Sequence, residues 1–137
     1  MKKVLFDTNI ILDIALKRPP FFQDAYELFA LIDEKKITGS ISATTITDIY
    51  FISKKEKGHQ ETIQFINNLL EVLDVIGVDK EVILHALSLK ILDFKDAVQI
   101  SASEHNEIEI IITRNKSDFV NTSLEIFTPK EFLKLEL

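Results

Sequence analysis

Four aspartates at predicted strand ends and helix starts are the residues of this sequence best placed to do chemistry. Asp7 directly follows the short apolar run Val4–Phe6, and Asp118 follows a second apolar run, EIIIT. Asp48 falls in the first turns of a predicted helix, and Asp96 opens another. In a parallel α/β sheet such junctions share the edge at which ligands bind. We therefore expect the four carboxylates to converge.

Converging carboxylates favour a particular chemistry. They repel one another, and some take up protons unless a cation is present. Mg²⁺ or Mn²⁺ relieves this repulsion because both ions prefer oxygen ligands. Such an ion lowers the pKa of a bound water and withdraws charge from a phosphoryl oxygen. The pattern therefore indicates metal-assisted phosphoryl chemistry, which requires no Ser, Cys or His nucleophile.

Each acid also has a structural interpretation. The stretch Thr45–Asp48 matches a helix capping box, and Asp93 is placed to cap the helix whose first turn contains Asp96. Asp118 fits a turn with its polar neighbours. Asp7 is the hardest to explain in this way, because an acid that ends a buried strand has no routine structural role.

The composition limits the class of protein. A length of 137 residues with 46% hydrophobic residues favours a single domain with one core. The absence of Cys excludes disulfides, thiolate metal sites and a Cys nucleophile, and it fits a reducing compartment. Because the sequence contains only three His, we do not expect a His-rich zinc site, and a metal would be a hard ion bound by oxygen.

Charge and hydropathy further limit the binding modes and the cellular location that we expect. The net charge of −6 argues against binding nucleic acid by bulk electrostatics, although it does not exclude chemistry at one local site. Asp7, Asn9 and Asp13 interrupt the first apolar stretch, so we do not expect it to be a signal peptide. Since no run of about 18 apolar residues exists, we expect no membrane span and a cytoplasmic protein.

Strands and helices alternate along the chain, which predicts a parallel sheet covered on both faces. The predicted strands are Val4–Phe6, Ile37–Ser42, Leu73–Val78, Glu109–Thr113 and Leu124–Phe127. The predicted helices are Ile10–Leu16, Phe21–Lys35, Thr44–Lys57, His59–Leu70, Lys80–Leu89, Asp96–His105 and a short one that begins at Pro129.

Four motifs in this order resemble those of the PIN-domain nuclease family, which includes the VapC-like toxin of toxin–antitoxin pairs. They are VLFDTNIILD, SATTITDIYFI, DFKDAVQISASEH and IIITRNKSDF, and together they extend over nearly the whole chain. The resemblance implies an α/β/α sandwich with a parallel sheet of about five strands, and one PIN-like nuclease domain over residues 1–137. The last two motifs resemble a bacterial branch of the family.

The resemblance also implies a Mg²⁺- or Mn²⁺-dependent ribonuclease in which Asp7, Asp96 and Asp118 bind the metal. Asp48 stands where the family usually has Glu; it is one methylene shorter, so we expect a water between its carboxylate and the ion. The polar pocket positions of the family correspond to Asn9, Thr113 and Asn115. Asp93 is an additional acid for which we favour the role of a cap.

Substrate and partner contacts are also implied. Arg114 and Lys116 flank the fourth motif and are the best candidates to contact RNA phosphates; further candidates are Lys54, Lys55, Lys57 and Lys95. We interpret the lysines from Lys54 to Lys57 as a helix end instead. The family implies a homodimer and, for toxin members, an antitoxin. Candidate interface residues are Phe21 and Phe22, while Phe51 and Phe65 are expected in the core.

Two other interpretations are open. FDTN is loosely similar to the opening motif of haloacid dehalogenase-like phosphatases, in which the first Asp is a covalent nucleophile, although Asn9 replaces the second Asp. Alternatively, the chain is a degenerate, non-catalytic PIN-like module that binds RNA or a protein partner. The replacement at Asp48 motivates this alternative.

Overall fold

The computed structural model describes residues 1–120 and 122–137, and in this part of the chain five parallel strands form one sheet. The strands are β1 Lys2–Phe6, β2 Ile37–Ser42, β3 Asp74–Ile76, β4 Ile110–Ile112 and β5 Glu125–Phe127, in the order β3-β2-β1-β4-β5. The helices in the same residues are α1 Thr8–Ala15, α2 Phe22–Asp33, α3 Ala43–Val72, α4 Lys80–Ser88, α5 Phe94–His105 and α6 Pro129–Leu133. No helix in these residues is long and apolar enough to cross a membrane.

Strand β1 is the centre of the sheet, between β2 and β4. Val4, Leu5 and Phe6 are fully buried because helices cover both faces of the strand. Val4 and Phe6 pack into a core with α1, α2, α3 and α6, whereas Leu5 packs into a second core with α4 and α5. The three-layer α/β/α sandwich predicted from the alternation of strands and helices is confirmed.

The direction in which the sheet grows reverses at the boundary between β1 and β4. The chain moves outward from β1 through β2 to β3, and then crosses to the other side of β1 for β4 and β5. In open α/β sheets, ligands bind at such a switch point, at the carboxyl ends of the strands. The residues that follow β1 and β4 therefore occupy the expected ligand site of this fold.

Gly39 in β2 permits the close packing of α2 and α3 over this part of the sheet. A Cβ atom at this position would lie 2.6 Å from Phe6, 2.7 Å from Leu73 and 2.9 Å from Ile32. Only a residue without a side chain fits there without displacing its neighbours.

Three local predictions have different outcomes. The boundary at Gly58 is confirmed, because this residue has a positive φ of 81° within α3 and divides it into two helical segments. The cap at Asp93 is also confirmed, since its carboxylate accepts a hydrogen bond from the Asp96 amide at 3.2 Å. The capping box at Thr45–Asp48 is wrong: α3 begins at Ala43, and Ser42 is the residue that precedes it.

The two Phe residues expected in the core also differ. Phe65 packs against the core that contains Val4. Phe51 is 65% exposed, so the core prediction for it is wrong. Its neighbour Ile49 is the fully buried residue of this turn of α3, which turns the Phe51 ring toward solvent.

Candidate active site

Asp7 lies at the carboxyl end of β1, directly before α1. Its amide donates to the carbonyl oxygen of Ile112 at 3.0 Å, which joins the ends of β1 and β4. The carboxylate does not cap α1, and only 3% of the residue is exposed. A buried carboxylate that neither caps a helix nor forms an ion pair in the described part of the chain has no evident structural role.

Two neutral donors hold the Asp7 carboxylate. The Thr113 hydroxyl donates to Oδ2 at 2.8 Å, and the Gln99 side-chain amide donates to Oδ1 at 3.1 Å. Thr113 also accepts a hydrogen bond from the Asn115 amide at 3.0 Å, which fixes the direction of its own proton. Each carboxylate oxygen keeps a further lone pair for another ligand.

Gln99 is a site residue that the sequence reasoning missed. It is fully buried on α5, and its Oε1 atom has no hydrogen-bond partner. The one sequence signal for it was its position three residues after Asp96, which places both residues on one face of a helix. Gln99 and Asp7 are 92 residues apart in the sequence, and sequence spacing does not predict a contact over such a separation.

Asp96 is the second buried acid of the site, with 6% of the residue exposed. Burial raises the pKa of Asp96 to about 7, and the negative charges of Asp7, Asp93 and Asp118 raise it as well, against the opposing charge of Lys95. Gln99 lies three residues after Asp96 on α5 and donates to Asp7, so the structure brings Asp7 to the same part of α5 as Asp96. The predicted convergence of acids is thus present for part of the set.

Asp48 and Asp118 are placed less favourably. Asp48 is half-buried in the second turn of α3, and its charge is not among those that act on Asp96. Asp118 is exposed at the end of a short 3₁₀ turn, and its amide donates to the Asn115 carbonyl oxygen at 3.0 Å. In residues 1–120 and 122–137, no three acidic or His side chains are close enough together to form a complete metal site.

A row of hydroxyls connects the start of α1 to the start of α3. Thr8 and Thr45 are joined at 3.0 Å, and Ser42 is joined to Thr45 at 3.2 Å. All three residues are buried. These contacts hold the helix that carries Asp48 next to the helix that follows Asp7, with the half-buried Asn9 beside them.

Arg114, which was expected to contact RNA phosphates, is largely engaged within the protein. Its guanidinium donates twice to the buried Asp13, at 2.8 and 3.2 Å, and stacks on the Phe21 ring at 3.8 Å. Arg18 lies 3.9 Å from Asp13. Arg114 is therefore first a structural residue that neutralises Asp13, and a phosphate contact by it stays a prediction.

The lysines differ in the contacts that they form within the protein. Lys116 forms an exposed ion pair with Glu131 at 3.2 Å. Lys57 donates to the carbonyl oxygen of Ala15 at 3.0 Å, so it ties α3 to the end of α1. Lys95 is exposed beside Asp96, and its charge opposes the rise in the pKa of Asp96.

The donor set fits a hard divalent ion that keeps much of its water. Asp7 and Asp96 offer only oxygen atoms, and both are buried without a cationic hydrogen-bond partner among the described residues. Mg²⁺ is usually bound through one or two carboxylates together with waters and substrate phosphates. A closed cage of three protein ligands is accordingly not required.

These observations agree with the comparison of the chain with known families. The family model for the PIN domain matches residues 3–117. The chain belongs to the PIN domain family. All four motifs fall in the matched part except the last residues of the fourth, so Asp7, Asp48 and Asp96 are within it and Asp118 is one residue beyond it.

Several solved structures share the fold. VapBC2 from Rickettsia felis, bound to a promoter DNA fragment, has a TM-score of 0.75 at 17% identity over 92% of this chain and 98% of that chain. A toxin–antitoxin complex from Klebsiella pneumoniae has a TM-score of 0.71 at 23% identity over 92% and 97%. VapC20 from Mycobacterium tuberculosis, a sarcin–ricin loop cleaving toxin, has a TM-score of 0.63 at 14% identity over 79% and 86%. No curated protein sequence matches the chain.

Proposed function

We propose that this PIN domain is a divalent-metal-dependent endoribonuclease and the toxin of a toxin–antitoxin pair. The observation that carries the proposal is the buried Asp7 carboxylate, held by Thr113 and Gln99 at the switch point of the sheet and coupled to Asp96. The structural neighbours support it, because they include toxin–antitoxin complexes and an RNA-cleaving toxin.

The side chains divide the work of phosphodiester hydrolysis in this proposal. Asp7 and Asp96 would bind Mg²⁺ or Mn²⁺, with Asp48 and Asp118 contributing through water. The bound ion supplies an acidified water and withdraws charge from a phosphoryl oxygen. Thr113 and Gln99 fix the Asp7 carboxylate before substrate arrives, which reduces the reorganisation needed during the reaction.

Exposed basic residues would guide RNA toward these acids. Lys95 lies next to Asp96, and Lys116 follows Asn115 at the carboxyl edge of the sheet. Contacts between such lysines and phosphates position a nucleic acid without reading its sequence. They also lower the electrostatic barrier that a net charge of −6 presents to RNA.

We infer a protein partner from the exposed apolar side chains. Large apolar side chains are exposed on the second half of the chain, namely Leu84, Leu87, Leu92 and Phe94. Apolar groups that form a contiguous exposed patch mark association sites in proteins. An antitoxin or a second copy of the chain, as in the homodimer that the family implies, would cover them.

One observation favours the non-catalytic alternative, in which the domain binds RNA or a protein without cleaving. Asp48 and Asp118 lie outside the buried pair, and no group of three ligands is assembled in the described residues. If the Asp7 and Asp96 carboxylates do not bind an ion, the domain is a binding module without nuclease activity. The phosphatase alternative is separate, and a phospho-aspartate trapped at Asp7 would support it.

Cleavage of defined RNAs tests the proposal directly. Purified protein is incubated with labelled single-stranded and hairpin RNAs in Mn²⁺, in Mg²⁺ and in EDTA. We expect cleavage with either ion, none in EDTA, and none with Asp7→Asn or Asp96→Asn. Asp74→Asn is the matched control, because Asp74 is an exposed acid at the opposite edge of the sheet. Equal cleavage by wild type and Asp7→Asn would exclude the proposed site.

A further inference from the structure

A cavity of about 240 Å³ opens between the starts of α2 and α6. Its lining residues are Phe21, Asp24, Arg114, Thr128, Pro129 and Lys130. Arg114 follows Thr113 at the end of β4, and Thr128 directly follows β5. The cavity therefore lies at the same carboxyl edge of the sheet as Asp7, displaced toward β5.

The acids and the cavity lie on opposite faces of the sheet, with Asp7 toward α5 and the cavity toward α2 and α6, and the end of β4 links them. Thr113 donates to Asp7, and the next residue, Arg114, lines the cavity. Since neighbouring strands are about 4.8 Å apart, the end of β5 lies only two strand spacings from the end of β1. An RNA strand that is bound at Asp7 and continues over this edge of the sheet would therefore reach the cavity.

One wall of the cavity is a flat, rigid, cationic platform. The Arg114 guanidinium stacks on the Phe21 ring at 3.8 Å, and two hydrogen bonds to Asp13 hold it in that plane. Unpaired bases stack on aromatic rings and on Arg planes. Because Phe21 is still 39% exposed, part of its ring is available to a ligand.

The other wall carries a hydrogen-bonding pattern of its own. Asp24 Oδ2 lies 3.0 Å from the Lys130 amine, which leaves Oδ1 to accept further hydrogen bonds. The Thr128 hydroxyl accepts from the Glu131 amide at 3.2 Å and keeps its proton to donate. A carboxylate beside a hydroxyl or ammonium donor matches the guanine edge, which presents two adjacent N–H groups next to a carbonyl oxygen.

We propose that this cavity is a base-binding subsite that selects guanine in a nucleotide near the cleaved phosphate. The inference rests on the proposed ribonuclease function for its place in the reaction, and on the cavity alone for the binding of guanine. It assigns Phe21 the role of stacking platform and Asp24 the role of selecting the base edge. Lys130 keeps the Asp24 carboxylate oriented through their ion pair.

Binding of mononucleotides tests the subsite independently of cleavage. GMP, AMP, CMP and UMP are titrated by calorimetry into wild type, Phe21→Ala, Phe21→Tyr and Asp24→Asn. We expect wild type to prefer GMP by about tenfold, in line with a bidentate base contact. Phe21→Ala should weaken GMP binding by about tenfold and Phe21→Tyr should restore it, whereas Asp24→Asn should remove the preference for GMP.

Sequencing of the cut sites in a randomised RNA gives the second readout. Wild type should cut preferentially at a fixed distance from a guanine, and Phe21→Ala and Asp24→Asn should cut with little preference. Tyr26→Ala is the matched control, since Tyr26 is an exposed aromatic residue on the same helix outside the cavity. It should keep the wild-type pattern.

The two readouts separate the two proposals. Selective GMP binding without cleavage would support the subsite and contradict the ribonuclease. Cleavage without base preference, together with equal binding of all four nucleotides, would overturn the subsite and leave the ribonuclease intact. An unchanged guanine preference in both Phe21→Ala and Asp24→Asn would also overturn it.

Discussion

Thr113 donates its hydroxyl proton to Oδ2 of Asp7 at 2.8 Å, across 106 residues of sequence. The two residues directly follow adjacent strands, β1 and β4, at the point where the sheet reverses its direction of growth. The buried Asp7 carboxylate is therefore oriented by the residue that follows β4, a strand that comes much later in the sequence. This contact couples the assembly of the sheet to the geometry of the site.

Thr113→Val should weaken the site without unfolding the protein. Val keeps the shape of Thr but removes the donor, so Asp7 loses one of its two orienting hydrogen bonds. Loss of such a supporting contact typically lowers metal affinity or activity by about 10–100-fold. We expect a decrease of that size in Mn²⁺ affinity, measured by calorimetry.

The matched control for this variant is Thr62→Val. Thr62 is fully buried and its hydroxyl has no partner, so its removal should leave Mn²⁺ affinity unchanged. Equal Mn²⁺ affinities for Thr113→Val and wild type would show that the hydroxyl does not orient Asp7.

Asp96→Asn should stabilise the metal-free protein above about pH 7. The folded-state pKa of Asp96, raised to about 7, lies above its unfolded value of about 3.9. The folded state therefore binds more protons than the unfolded state between these values, and stability is lost as the pH rises through them. Asn does not ionise, so this loss disappears.

Urea unfolding in EDTA at about pH 5 and about pH 8 measures the effect. We expect the variant to exceed wild type by roughly 1–3 kcal/mol at the higher pH, and by less at the lower pH. Asp74→Asn, at an exposed position, should show no such dependence. If the stability of wild type relative to Asp96→Asn increased as the pH rises, the sign would be reversed and the raised pKa of Asp96 would be refuted.

Arg114→Ala should destabilise the fold by about 2–4 kcal/mol, because it leaves Asp13 buried with only the distant Arg18 nearby. Burial already raises the pKa of Asp13 against the opposing charge of Arg114. Without that charge the acid should protonate more readily, so the loss should be smaller at about pH 5 than at about pH 8.

Denaturant unfolding of Arg114→Ala beside Lys116→Ala provides the comparison. Lys116 forms an exposed pair with Glu131, so its removal should change stability by less than about 0.5 kcal/mol. Equal effects of the two substitutions would mean that Arg114 is free for substrate and not committed to Asp13.

Gly39→Ala should cost about 1–3 kcal/mol through overpacking. The added methyl would lie within 3 Å of Phe6, Leu73 and Ile32, which belong to one well-packed core. Gly77→Ala is the control, because nothing lies within 4 Å of a methyl group there. Thermal unfolding compares the two, and an unchanged midpoint for Gly39→Ala would contradict the tight packing of this core.

Local sequence signals predicted the parts of the structure that short-range physics determines. The apolar run that ends at Asp7, the helix break at Gly58 and the cap at Asp93 each depend on a few neighbouring residues. Strand β1 could be read as buried on both faces because its three apolar residues are consecutive.

Long-range contacts were outside the reach of such signals. Gln99 is defined by its contact with Asp7, and Arg114 by its pairing with Asp13 across 101 residues. Thr45 matched a capping pattern, yet it bonds Thr8 and Ser42 inside the protein because α3 begins earlier. In each case tertiary packing determined which of several local options was used.

Titration of the metal-free protein with Mn²⁺, followed by calorimetry at about pH 8, tests the central claim most directly. The claim is that Asp7 and Asp96 together form the divalent-ion site. We expect wild type to bind Mn²⁺ and Asp7→Asn, still folded by circular dichroism, to lose that binding, while Asp74→Asn binds as wild type does. Binding of Mn²⁺ by Asp7→Asn with wild-type affinity, or no binding by wild type, would contradict the claim.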